Sequence, residues 1–150
     1  MITYEVSQNE INSLVSRLSG LDKALINSTI IEKIAIDIKE RIRLRTQGGK
    51  DVNYSSFKKY SLDYSIQEGK TLVNLTNTGE MLNSMTQKVM SNDTIKIFFS
   101  NKRARELAKK HQFGDGVPVR EFFGVGTKDR EFAMATYRKS TAKELSKRGF

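Results

Sequence analysis

The chain has no cysteine, no tryptophan, one proline and one histidine in 150 residues. Without cysteine there is no disulfide framework, thiolate nucleophile or thiolate metal site, and a reducing compartment suits the chain. No apolar run approaches the roughly 20 residues that a membrane span requires, and the start, Met1 to Val6, lacks a basic region followed by an apolar stretch. Neither a signal peptide nor a membrane segment is expected. His111 stands alone, without a second soft ligand or an adjacent nucleophile, and its place before a glycine reads as helix capping or packing. Gly48-Gly49-Lys50 lacks the upstream glycine and following Ser/Thr of a phosphate loop, and reads as a helix stop. Gly124-Val125-Gly126 lacks the third glycine and ribose-binding acid of a dinucleotide fingerprint, and reads as a strand-to-helix turn. No catalytic, cofactor-binding or metal-ligating residue is expected, and the chain is read as a non-enzyme.

What is present is globular composition, with 37% hydrophobic and 29% charged residues and enough length for one domain with its own core. The modest apolar share leaves room for surface buried by neighbouring subunits. The net charge of +9 is local. Lys102, Arg103, Arg105, Lys109 and Lys110 stand against Glu106, and Arg138, Lys139, Lys143, Lys147 and Arg148 against Glu144, so these two segments hold eight of the nine surplus charges. All ten basic residues are candidate contacts to an acidic partner or polyanion.

Residues 2–6 alternate as a short strand, Ser7 suits an N-cap, and Ile11, Leu14, Val15 and Leu18 suit a short helix ending near Gly20. From Leu21 to about Thr46, Leu25, Ile30, Ile31, Ile34, Ile38 and Ile42 repeat at three- and four-residue steps and predict a long amphipathic helix. Residues 48–70 are polar and aperiodic with four interspersed aromatics, Tyr54, Phe57, Tyr60 and Tyr64, and read as a flexible, extended arm. These rings beside Lys58 and Lys59 are either docked on protein or a stacking platform for single-stranded nucleic acid. A helical turn is expected over 78–85, strands over 86–90 and 94–100 joined as a hairpin at Ser91-Asn92-Asp93, and a basic helix over 102–111. A glycine-rich turn over 114–118, a strand over 119–124 and an amphipathic helix from Thr127, buried through Phe132, Ala135, Ala142 and Leu145, complete the order. Helices and antiparallel strands in separate blocks predict an α+β fold, with the long N-terminal helix packed on a small antiparallel sheet.

Two segments have a more specific character. Leu75-Thr76-Asn77-Thr78-Gly79-Glu80-Met81-Leu82-Asn83-Ser84-Met85 is followed about thirty residues later by Ala108-Lys109-Lys110-His111-Gln112-Phe113-Gly114, then Val117-Pro118-Val119-Arg120 and Phe122-Phe123-Gly124. Together they resemble the paired motifs of the phage virion-morphogenesis, or tail-completion, family, to which the phage Mu virion morphogenesis protein belongs. The resemblance runs from about Arg41 to Gly126, with Asn77, Leu107 and Glu121 departing from the family's pattern. On it, Thr78, Gly79, Leu82, Ser84, His111, Phe113, Gly114, Pro118, Arg120, Phe122 and Gly124 are structural motif residues, with Phe113, Phe122 and Phe123 as core anchors.

The resemblance implies a structural virion protein of a tailed bacteriophage, assembled in the host cytoplasm. It would form a homo-oligomeric ring of six or twelve copies at the head–tail junction, joining head to tail and letting genomic DNA pass. Its neighbours would be connector or portal-side proteins and tail-terminator or tail-tube proteins. A tail terminator or other tail-tube-end component is the alternative in the same class, and a basic nucleic-acid-binding module the alternative in another.

Overall fold

The computed structural model describes residues 3–6, 28–76, 79–91 and 94–147. The isoleucine stripe produces helix α1 (Ser28–Gln47), which buries Ile30, Ile31, Ile34, Ala35, Ile38 and Ile42 at helical steps. The five isoleucines are β-branched, which lowers intrinsic helicity, so packing holds α1 together. Its partner is a three-stranded antiparallel sheet of β1 (Thr3–Val6), β2 (Met85–Ser91) and β3 (Thr94–Phe99), in the order β1-β3-β2. Strand β3 alternates strictly, with Ile95, Ile97 and Phe99 fully buried and Thr94, Lys96 and Phe98 half-buried on the other face. Phe99 stands opposite Met85 across the β2–β3 pair, and the register shifts between Val89 and Ser91.

The short helices α2 (Leu62–Glu68) and α3 (Glu80–Asn83) precede the sheet's hairpin in the chain, and α4 (Lys102–Phe113) follows it. Helix α4 buries Ala104 and Ala108 against α3 and β3, and α5 (Thr127–Lys147) lies along α1. Phe99, Phe122 and Phe123 form a ring cluster with centroids 5.1–6.2 Å apart, in tilted geometry, where the loop before α5 meets the sheet. The α+β architecture, with the N-terminal helix on a small antiparallel sheet and a long C-terminal helix, is the one expected. The readings of Ser7, the helix through Ile11 to Leu18, the helix start at Leu21, Thr78, the Asn92-Asp93 turn and Arg148 fall outside the described residues.

Four expectations are corrected. The segment 48–70 is not an extended arm but an excursion that returns to its own chain. The Phe57 side chain is buried, Lys50 bridges Ser56, the Val52 N–H donates to the Glu121 carbonyl at 2.8 Å, and α2 is capped by Ser61 and Gly69. Residues 119–124 form no strand, because their backbone groups are taken by other partners. The Arg120 N–H donates to the His111 carbonyl, and the Gln112 side chain clasps both the N–H and the carbonyl of Phe123 at 3.1 and 3.0 Å. Phe113 is no core anchor but is 70% exposed, since it lies off the face marked by Ala104 and Ala108. Helix α5 buries Asp129, Ala133, Tyr137 and Thr141, while Phe132, Ala135 and Ala142 are exposed and Leu145 half-buried. The pairing of Asp129 with Arg45 of α1 turns that side of the helix inward.

Two turns require glycine. Gly114 caps α4 in the left-handed region, at φ 80°, where an added Cβ would also meet the Val119 side chain at 2.6 Å. A Cβ on Gly126 would fall far inside van der Waals contact of the Val52 carbonyl oxygen. Gly126→Ala is therefore expected to cost about 3 kcal/mol or more by forcing backbone apart. Gly116→Ala, in open space at φ 71°, should cost only about 1–2 kcal/mol of left-handed strain. Urea denaturation of the two variants tests this, and equal losses would contradict the close backbone approach.

Candidate functional site

The two motifs, separate in sequence, meet in space. Gly79, at φ 78°, precedes the single turn of α3, whose Met81 and Leu82 are buried. Ser84 closes that turn, donating its hydroxyl to the Met81 carbonyl at 2.8 Å while its own carbonyl accepts from the Ser100 N–H. Helix α4 lies against α3 and carries His111 in its last turn, and the chain then reverses at Gly114 to bring Pro118 and Arg120 back beside it. The result is a groove of about 620 Å³ in which Gly79, Glu80 and Met81 face His111, Pro118 and Arg120, with Tyr60 and Tyr64 on a third side.

The Arg120 side chain is only 3% exposed. Its Nε donates to the Lys58 carbonyl at 3.1 Å, its guanidinium lies 5.0 Å from the Tyr60 ring centroid, and it makes no ion pair among the described residues. Burial lowers its pKa, an effect opposed by Tyr60 and Tyr64, and burial raises that of Tyr60. His111 is shifted below the ordinary imidazole value first by burial and then by the charge on Arg120, and its Nδ1 is buried without a hydrogen-bond partner. Among the described residues no group of His, Asp and Glu could hold a metal ion. The groove's chemistry is that of a cationic, aromatic-walled cleft.

The loop from Arg120 to Gly126 is held from behind by a buried charge cluster that the sequence reading missed. Arg45, on α1, pairs with Asp129 in the first turn of α5, and its Nη2 donates to the carbonyls of Phe122 and Gly124 at 2.8 and 2.7 Å. Asp129 also accepts from Arg41 Nε at 3.2 Å, Tyr54 Oη at 3.0 Å and the Gly126 N–H at 3.0 Å. The last contact is the reciprocal half of a helix cap. Burial, then the charge of Asp129, raises the pKa of Tyr54. The available signal was position: Arg45 and Thr46 continue the register of Ile38 and Ile42, so an arginine lies on the buried stripe.

The candidate partner contacts lie mostly in solvent. Lys102, Arg103, Lys109 and Lys110 are exposed on α4, while half-buried Arg105 donates to the Phe99 carbonyl at 3.2 Å. Lys102 approaches Glu106 at 4.0 Å and Arg103 approaches Glu80 at 3.8 Å on the groove's rim. Arg138, Lys139, Lys143 and Lys147 are exposed on α5, with Lys147 4.0 Å from Glu144. The two basic segments thus ride on helices packed against different elements, α4 on α3 and β3 and α5 on α1. Among the described residues no helix is long and apolar enough to cross a membrane.

Asp129→Asn leaves Arg45 buried without its counter-charge and should cost about 3–5 kcal/mol in chemical denaturation. A loss below about 1 kcal/mol would deny the cluster this role. A second expectation follows from His111, whose folded pKa lies below the ordinary 6.5. The unfolded chain takes up the proton first, so the His111 contribution to stability is present above about pH 6.5 and is lost as pH falls toward the folded pKa. His111 is the only histidine, so urea midpoints between about pH 7.5 and 5.5 should decline more steeply in the wild type than in His111→Gln. Parallel profiles would show an imidazole that titrates as if unburied.

No protein-family model, curated protein or solved structure matches this chain.

Proposed function

We propose that this chain is a non-enzymatic structural subunit of a tailed-phage virion, forming a ring at the head–tail junction that joins head to tail and lets DNA pass. The observation that supports this reading most is the meeting of the two resemblance-bearing motifs in one groove, Gly79 to Met81 on one wall and His111, Pro118 and Arg120 on the other. Residues that define a motif by shared structure belong together in space, and Phe122 and Gly124 continue the motif into the core and the buried charge cluster. The exposed cations of α4 suit a partner with an acidic face, since complementary charge sets orientation and association rate.

Electron microscopy of lysates tests the reading. Phage lacking the chain should accumulate filled heads and separate tails, and purified protein should restore joining. Empty proheads as the main product would instead place the chain at an earlier, portal-side step. Changing Lys102, Arg103, Lys109 and Lys110 together to Glu should leave the subunit folded and slow joining in a salt-dependent way, although each exposed charge alone is worth only about 0–1 kcal/mol. Unaltered joining by this variant would remove α4 from the interface.

A further inference from the structure

Helix α2 has an unusual balance for a piece seven residues long. It buries none of its residues, yet it is closed at both ends, with Ser61 Oγ accepting the Tyr64 N–H and Gly69 turning left-handed at φ 61°. One side is pinned to the body, where Tyr64 stacks at 4.7 Å on Tyr60 and Tyr60 lies against Arg120. Leu62 and Ile66, one turn apart, are 75% and 70% exposed. Single exposed aliphatics are ordinary, but two in register on a preformed, capped helix make a knob whose ordering cost is already met within the subunit. Asp63 flanks them and makes no ion pair among the described residues, whereas Glu68 falls one turn from Tyr64 on the pinned side. The knob is apolar and acidic.

Its complement lies elsewhere on the same molecule. Between α1 and α5 runs a groove of about 710 Å³, with Phe132 and Ala135 exposed along it. Of the lysines on its walls, Lys33 is held by Asp37 at 3.3 Å and Lys147 by Glu144 at 4.0 Å. Lys139 and Lys143 are exposed and make no ion pair among the described residues. The groove is apolar and basic, and a helix of seven residues, about 10 Å long, is short enough to lie in it.

We infer that α2 of one subunit docks in the α1–α5 groove of the next copy of this chain, placing Leu62 and Ile66 against Phe132 and Ala135, and Asp63 beside Lys139 and Lys143. Knob and groove are different surfaces, so the contact is head-to-tail and propagates from copy to copy until it closes. The inference rests on the ring reading for that closure and supplies the ring with its subunit interface.

The absence of cysteine makes a direct test possible. In full-length Ile66→Cys/Ala135→Cys protein, mild oxidation should give a ladder of covalent oligomers on a non-reducing gel, whereas either single variant should stop at dimers. A product confined to monomer, whether unlinked or linked within one chain, overturns the contact. Sedimentation gives a second readout. Leu62→Asp/Ile66→Asp and Lys139→Glu/Lys143→Glu should each weaken self-association roughly 100-fold. An equimolar mixture of the two should form dimers and nothing larger, because one intact knob meets one intact groove. Wild-type association in either variant overturns the proposal. Normal head–tail joining by a knob variant would do so while leaving the junction reading in place, and a junction without this chain in the virion would remove that reading independently.

Discussion

The contact between Arg45 and Asp129 governs more of this molecule than any other. Two charges withdrawn from water lose several kcal/mol of solvation each, and the loss is offset only when their remaining hydrogen-bonding capacity is used. Here it is used almost fully: Asp129 accepts from Arg45, Arg41, Tyr54 and Gly126, and Arg45 donates onward to two loop carbonyls, leaving only its Nε without a partner. Such a pair adds little net stability over a well-packed apolar replacement. What it fixes is register, because four stretches of chain must arrive together for the charges to be satisfied. The groove lined by His111 and Arg120 begins two residues before the first of those carbonyls, that of Phe122, although neither Arg45 nor Asp129 lines it.

The parts of the fold that were legible in the sequence are those where one face is buried against a flat neighbour. The isoleucines of α1 and the alternation of Ile95, Ile97 and Phe99 satisfy that condition, and the helix and hairpin stand where periodicity put them. Helix α5 was legible as a helix but not in its orientation. Its buried side is set by fit to α1 and by the charge on Asp129, while Phe132 supplies a platform 4.4 Å beneath the Arg41 guanidinium. The segment from Gly48 onward was misread because its anchors are remote: Val52 is tied to Glu121, and Lys58 to Arg120. No local pattern reports such contacts. As for the site, the two motifs were visible, but their meeting was not. Asp129 drew no reading, since nothing nearby in sequence indicates that it neutralises an arginine.

Helix α2 joins the motif groove to a pair of exposed aliphatic side chains. Its tyrosine side closes the motif groove over Arg120, and its aliphatic side stands in solvent. The helix is too short to persist by intrinsic propensity, so its caps and the tyrosine contacts hold it in place. Order in the groove and order in the exposed knob are therefore one property. A ligand or neighbour that tightened either side would tighten the other without any displacement of the core.

The spacing of the charge cluster also has a temporal side. Asp129 follows Arg45 by 84 residues, and β1 pairs with β3 so that Thr3 stands opposite Phe98. A ribosome adding roughly 5–20 residues per second exposes the arginine several seconds before its carboxylate exists. Until then the guanidinium keeps its water, and the end of α1 cannot be sealed against the loop at Phe122. A polypeptide interrupted before position 129 is left with an unneutralised cation at the centre of its would-be interior. Completion of the core therefore waits on the stretch of chain that carries Asp129.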